Sequence, residues 1–311
     1  MLPDFDDFLL SLHSANYSAK TIYNYDRDLQ VFAAFLDAAS IPFASSNKKS
    51  IALYKAYLTS QDRQTAMAQD APLKLSARSV NRMLSSLRSY LKYLLEMDLP
   101  CPIAPESVKL VKAERKHPRV AELFELQKLI EAPAMFEKNH NVALRNRAML
   151  EVLFATGMRI SELCNLNRQQ IDGSGRIFIM GKGKKQRFTY LTPRAQSCVE
   201  EYLSTRTDDS PALFIPYRGR NAGNRTRRVS TNYLQDRIVR YREKLRINVP
   251  TSAHSLRHGF ATYLAEEGAS PAAIQILLGH ESLATTTRYV HASDRYAEET
   301  HHKFHPLSHD N

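Results

Sequence analysis

The sequence predicts a mainly α-helical protein with one small β-hairpin: a helical N-terminal domain followed by a mixed α/β C-terminal domain. Three observations carry this reading. Apolar side chains recur at alternating intervals of three and four through much of the N-terminal third, the period of a helix with one buried face. Pro100, Pro102, Pro105 and Pro118 then punctuate a charged stretch of a kind that helices rarely run through. Further on, Arg176-Ile177-Phe178-Ile179-Met180 and Arg187-Phe188-Thr189-Tyr190-Leu191 read as two strands around a turn rich in glycine and lysine.

Each element has its own local signal. Ile22, Tyr25, Leu29, Phe32 and Leu36 form one helical stripe, and Ser18 before them is a candidate N-cap. Val80, Leu84, Leu87, Leu91 and Leu94 form a second stripe, with Arg78, Arg82, Arg88 and Lys92 at the remaining positions. Such a helix presents one apolar and one basic side, the latter either solvated or laid against a nucleic-acid backbone. Residues 60–75 are polar and aperiodic, so a loop is expected there. Lys109, Lys112, Glu114, Arg115 and Lys116 accompany the prolines and mark an interdomain linker. Glu122 opens a new helical pattern through Leu123, Leu126, Leu129 and Ile130. The expected division is therefore residues 1–106, a linker over 107–120, and residues 121–311. Between Arg218 and Arg246 stand ten Lys or Arg opposed only by Asp236 and Glu243, with Arg237, Arg240 and Lys244 on one helical face. Ser270 and Pro271 signal a helix start, and Gly279 its end.

Bulk properties narrow the class. A chain of 311 residues with 43% hydrophobic and 24% charged content is ordinary for a globular protein of about two domains. No apolar run approaches the roughly 18 residues that span a bilayer. The acidic start, Met1-Leu2-Pro3-Asp4-Phe5-Asp6-Asp7, lacks the basic beginning of a signal peptide, so a cytoplasmic, membrane-free protein is expected. A net charge of +11 favours a polyanionic partner, nucleic acid above all. Cys101, Cys164 and Cys198 have no C-x-x-C spacing and read as small apolar side chains rather than a disulfide frame or zinc site.

The chemistry is concentrated in five motif pieces. These are Ala155-Thr156-Gly157-Met158-Arg159-Ile160-Ser161-Glu162-Leu163, Gly181-Lys182-Gly183-Lys184-Lys185, His254-Ser255-Leu256-Arg257-His258-Gly259, Leu277-Leu278-Gly279-His280 and Thr285-Thr286-Thr287-Arg288-Tyr289-Val290-His291. Two arginines are forked, permanently charged donors suited to a phosphodiester that gains charge in its transition state. A tyrosine can attack phosphorus and keep the bond as a phosphotyrosine. A lysine and a histidine can move the protons. Glu162 falls three residues after Arg159, where it can orient that arginine or a neighbour, or form a plain i,i+3 ion pair. His280-Glu281 does not continue into an H-E-x-x-H zinc motif, and neither metal nor cofactor is expected.

These pieces, in this order, resemble the tyrosine recombinase (phage integrase) family, most closely its Xer-type members. The resemblance runs over nearly the whole chain and is strongest from about residue 120 onward. It implies a helical core-binding (SAM-like) domain that grips DNA, joined to a tyrosine-recombinase catalytic domain. It implies Arg159 and Arg257 as phosphate ligands and Lys182 as the acid protonating the departing 5′ oxygen, with Lys184 and Lys185 as competitors. It also implies His254 as a proton-handling group, His280 as a phosphate hydrogen-bond donor and Tyr289 as nucleophile. Double-stranded DNA is the implied partner. The implied assembly is a homo- or hetero-tetramer that exchanges strands through a Holliday junction, docked by a tail over residues 296–311. A second recombinase or a DNA translocase is a further implied partner, and chromosome dimer resolution the implied role. An integrase or transposase of a phage or mobile element, a type IB topoisomerase and a non-catalytic DNA-binding regulator are the alternatives.

Overall fold

Local start signals place most of the helices of the computed structural model, which describes residues 2–60, 75–112, 120–180, 186–218 and 226–279. Lys182, Lys184, Lys185, His280, Tyr289 and the later histidines lie outside the described residues, as do residues 61–74 of the loop expected over 60–75, linker residues 113–119, Arg220, Arg225 and the tail. The chain divides into two compact units, Met1–Lys116 and His117–Asn311.

The first unit is built from α1 (Phe5–Ser14), α2 (Ala19–Ala38), α3 (Lys48–Thr59) and α4 (Ala77–Glu96). Ser18 caps α2 by accepting from the Thr21 N–H, and Ser76 caps α4 by accepting from the Ser79 N–H. The expected stripes are buried: Ile22, Leu29, Phe32 and Leu36 on α2 meet Val80, Leu84, Leu87, Leu91 and Leu94 on α4 in one core. Tyr25 packs at its margin, its hydroxyl on Ser89. The basic side of α4 is less uniform than the sequence suggests. Arg82 turns inward to pair with buried Asp28, which also accepts from Ser86, so this arginine ties α2 to α4. Arg78, Arg88 and Lys92 remain exposed.

The second unit comprises α5 (Leu123–Phe136), α6 (His140–Thr156), α7 (Ile160–Asn165), β1 (Arg176–Met180), β2 (Gln186–Tyr190), α8 (Pro193–Ser204), α9 (Thr231–Lys244), α10 (Ala253–Glu266) and α11 (Pro271–Leu278). Glu122 stands at the N-cap of α5, as its pattern requires. α6 is buried on nearly every side and packs against α5, α8 and α10. Three of its buried polar side chains are paired: Glu151 accepts from Arg194, and Arg145 and Asn146 bond the Tyr233 hydroxyl of α9. The strands pair antiparallel, Arg176 opposite Tyr190 through Met180 opposite Gln186. β2 starts one residue earlier than expected. Its inward face carries Arg187 and Thr189, while Phe188 and Tyr190 are 43% and 53% exposed.

Of the expected basic face on α9, Arg237 pairs with Glu137, Arg240 with Asp236, and the Lys244 ammonium lies over the Phe136 ring. Much of that charge is therefore engaged within the fold. Cys164 and Cys198 are buried and Cys101 half-buried, all three as free thiols. Among the described residues no helix is long and apolar enough to cross a membrane.

Candidate active site

The site grows from a single turn. Helix α6 ends at Gly157, whose left-handed backbone (φ +59°) closes the helix and redirects the chain. A Cβ there would come within 2.3 Å of Phe260 Cδ1, so close helix packing demands glycine as well. Two residues later Arg159 occupies the N-cap of α7, and Glu162 one turn on accepts from its backbone N–H at 2.8 Å. The Arg159 guanidinium donates to the same carboxylate at 2.9 Å, with its side chain 40% exposed. Arg159 is thus anchored at its root and held along one edge while its head reaches solvent.

Glu162 serves two arginines. Arg187, on the inward face of β2, donates from Nη1 and Nη2 at 3.1 and 2.7 Å. Burial disfavours the charged carboxylate, but the hydrogen bonds from Arg187 and the Arg159 N–H, with both guanidinium charges, outweigh it and hold the Glu162 pKa below its ordinary value. Glu162 forms the i,i+3 ion pair with Arg159 and pairs with a neighbour, Arg187, as well. Arg187 escaped the sequence reading because its partners lie 25 and 90 positions away.

Arg257 is buried within α10 and spans two helix ends. Its Nη1 donates to the Gly157 carbonyl at 2.7 Å and its Nη2 to the Leu278 carbonyl at 2.8 Å. These carbonyls close α6 and α11, where the helix dipoles are negative. Ser270 caps α11 and Pro271 begins it, as the sequence indicated. Gly279, also left-handed, ends it against the Arg187 side chain. His280 would follow directly.

His254 sits one turn before Arg257 on the exposed rim of α10. Its pKa is lowered by partial burial and by the Arg257 and Arg159 charges, which keeps the imidazole neutral and able to accept a proton. His258, the residue after Arg257, places its Nε2 2.8 Å from that of His254. Burial, with His254 and Arg257 nearby, pushes its pKa down to about 4.

The structure therefore gathers Arg159, Arg257 and His254, and adds Glu162, Arg187 and His258. Among the described residues no group of three or more His, Cys, Asp or Glu could hold a metal ion.

Comparison with known proteins gives this arrangement its context. The sequence pattern of the "Phage integrase family" matches residues 120–295, and that of the "Phage integrase, N-terminal SAM-like domain" matches residues 5–97. Tyrosine recombinase XerC of Halalkalibacterium halodurans is 33% identical, covering 96% of this chain and 96% of that protein. Tyrosine recombinase XerC of Pelobacter propionicus is 34% identical over 94% of this chain and 91% of its own length. In fold, the chain is similar to the crystal structure of XerH site-specific recombinase bound to palindromic difH substrate, with a TM-score of 0.70 and 22% identity over 92% of this chain and 80% of that one. Family patterns on both units and relatives matched along nearly their whole length lead to one conclusion: this chain belongs to the phage integrase family and is a tyrosine-type site-specific recombinase.

Proposed function

We propose that the chain cuts and rejoins double-stranded DNA at a specific site through a 3′-phosphotyrosine, in chromosome dimer resolution. The observation that carries the chemical assignment is Arg257 bonded to the Gly157 carbonyl that closes α6, with Arg159 two residues beyond that turn and His254 one helical turn before Arg257. In this reading Arg159, Arg257 and His280 hold the non-bridging phosphate oxygens. Charge that builds there meets donors already in place. His254 accepts the Tyr289 proton as the phenolate oxygen attacks phosphorus. The bond to the 5′ oxygen breaks, and Lys182 supplies the proton that leaves with it. The products are a phosphotyrosine and a free 5′ hydroxyl. The phosphodiester energy is retained, so a 5′ hydroxyl from a second duplex can reverse the step onto a new strand.

The chromosomal role is supported by the XerC identity of the relatives, each matched over nine-tenths or more of its length. The N-terminal unit, residues 1–106 with a linker over 107–120, is the DNA clamp in this scheme. Four protomers surround two duplexes in the cytoplasm, alone or with a second recombinase, under a DNA translocase.

The test is covalent capture. The protein is incubated without metal on nicked suicide duplexes from the replication-terminus region of its own genome and run on a denaturing gel. A DNA-shifted band that disappears in Tyr289→Phe supports the reading. Capture only on mobile-element ends would replace the chromosomal role with an integrase or transposase. Relaxation of supercoils without strand exchange would point to a topoisomerase, and tight binding with no capture on either DNA to a regulator.

A further inference from the structure

We propose that Arg187 is a positioning residue for strand cleavage, one that sets the Arg159 guanidinium through Glu162 and locks it to the end of α11. This rests on the reading of Arg159 as a phosphate ligand. The side chain of Arg187 is only 6% exposed, although arginine on a short two-stranded sheet ordinarily faces water. Its inward aim follows from the strand register, which puts it opposite Ile179 on the buried face. All three guanidinium nitrogens are used: Nη1 and Nη2 on the two Glu162 oxygens and Nε on the Leu277 carbonyl at 3.0 Å. Gly279 is packed so closely that a Cβ would stand 2.9 Å from Arg187 Cδ.

One side chain thus joins three pieces of the proposed site: the α7 cap that carries Arg159, the α11 end that precedes His280 in sequence, and the strand that follows Lys182 in sequence. Each Glu162 oxygen receives one hydrogen bond from Arg187 and one from Arg159. With Arg187 gone, the carboxylate can rotate toward Arg159 and draw its head away from the phosphate. Misplacement of a catalytic group by about 1 Å costs on the order of 100-fold in rate.

The experiment measures single-turnover capture by the full chain on the suicide duplex that traps it, for the parent, Arg187→Gln, Arg187→Lys, Glu162→Gln and the Arg187→Gln/Glu162→Gln double variant. Three duplexes are compared: the ordinary phosphodiester, one with a methylphosphonate at the scissile position, and one with sulfur replacing the bridging 5′ oxygen. The expected result is an Arg187→Gln defect of about 100-fold on the phosphodiester, with Lys recovering little because it lacks the bidentate fork. DNA binding stays within a few-fold of the parent. The defect shrinks on methylphosphonate, where the charge that Arg159 neutralises is missing, and persists with sulfur, a leaving group that needs no proton. The double variant is no slower than the worse single one, because both changes act through one contact.

Equal defects on all three duplexes would mean general loss of fold, and rescue by sulfur alone would mean that Arg187 acts on the acid; either overturns the inference. Parental rates in Arg187→Gln sink it while leaving the proposed function intact. A parent that traps no DNA at all sinks both.

Discussion

His254 and His258 face each other from successive turns of α10, with their Nε2 atoms 2.8 Å apart. One nitrogen must donate and the other accept, so the pair cannot carry protons on both facing atoms. Both pKa values are depressed in the folded chain, that of His258 to about 4 from 6.5. As pH falls from 6.5 toward 4, the unfolded chain takes up protons that the folded chain refuses, and stability falls with it. Glu162, also depressed, adds a loss of the same sign only below 4.5. Thermal unfolding at pH 7, 6, 5 and 4.5 should show a shallower decline for His258→Asn than for the parent. Parallel curves would remove His258 from this account.

Arg257→Lys should abolish most covalent capture, by about 100- to 1,000-fold, with DNA binding reduced far less. A lysine brings one point charge where two carbonyls are bridged by a planar fork. Quantified gel capture beside a mobility-shift titration separates the two effects, and a loss confined to binding would contradict the assignment.

Gly157→Ala should cost more than about 2 kcal/mol of stability. It combines a left-handed backbone with a Cβ driven into the Phe260 ring. Urea denaturation measures this. Because Phe260 lies three residues after Arg257 on α10, capture should fall in the same variant even where it remains folded.

Asp28→Ala should destabilise the N-terminal unit by about 1–2 kcal/mol, since it leaves Ser86 and Arg82 without their shared acceptor. The cost stays modest because the Arg82 side chain is 42% exposed and can turn to water. Arg82→Ala should cost about as much or more, leaving the Asp28 carboxylate buried without its cation. Denaturation curves of the two variants provide the comparison.

Much of this fold was legible because its punctuation is local. Ser18, Ser270 and Pro271 act within one turn of where they stand, and the α2 and α4 stripes needed only their period. Arg159 and Arg257 were singled out by motif residues alone; in the fold Arg159 follows the turn at Gly157 and Arg257 bonds the carbonyl of that glycine. Arg187 was not. On β2 the apolar residues Phe188 and Tyr190 point outward and the polar ones inward, the reverse of what hydrophobic alternation suggests. That inversion makes sense only once Glu162 and Leu277, both distant in sequence, are seen to meet it. His258 was hidden for the opposite reason: its partner is local, but an i,i+4 pair of histidines reads equally well as packing.

The two carbonyls that receive Arg257 bear on the thermodynamics of ligand capture. A free arginine side chain surrenders about 2 kcal/mol of rotamer entropy when it is immobilised. Here the side chain is already fixed by the ends of α6 and α11, so in its proposed role as phosphate ligand that loss is met during folding. Calorimetry on the parent should accordingly show little entropic penalty from this contact. Loosening either helix end would turn the proposed anion receptor from rigid to floppy without removing a single charge.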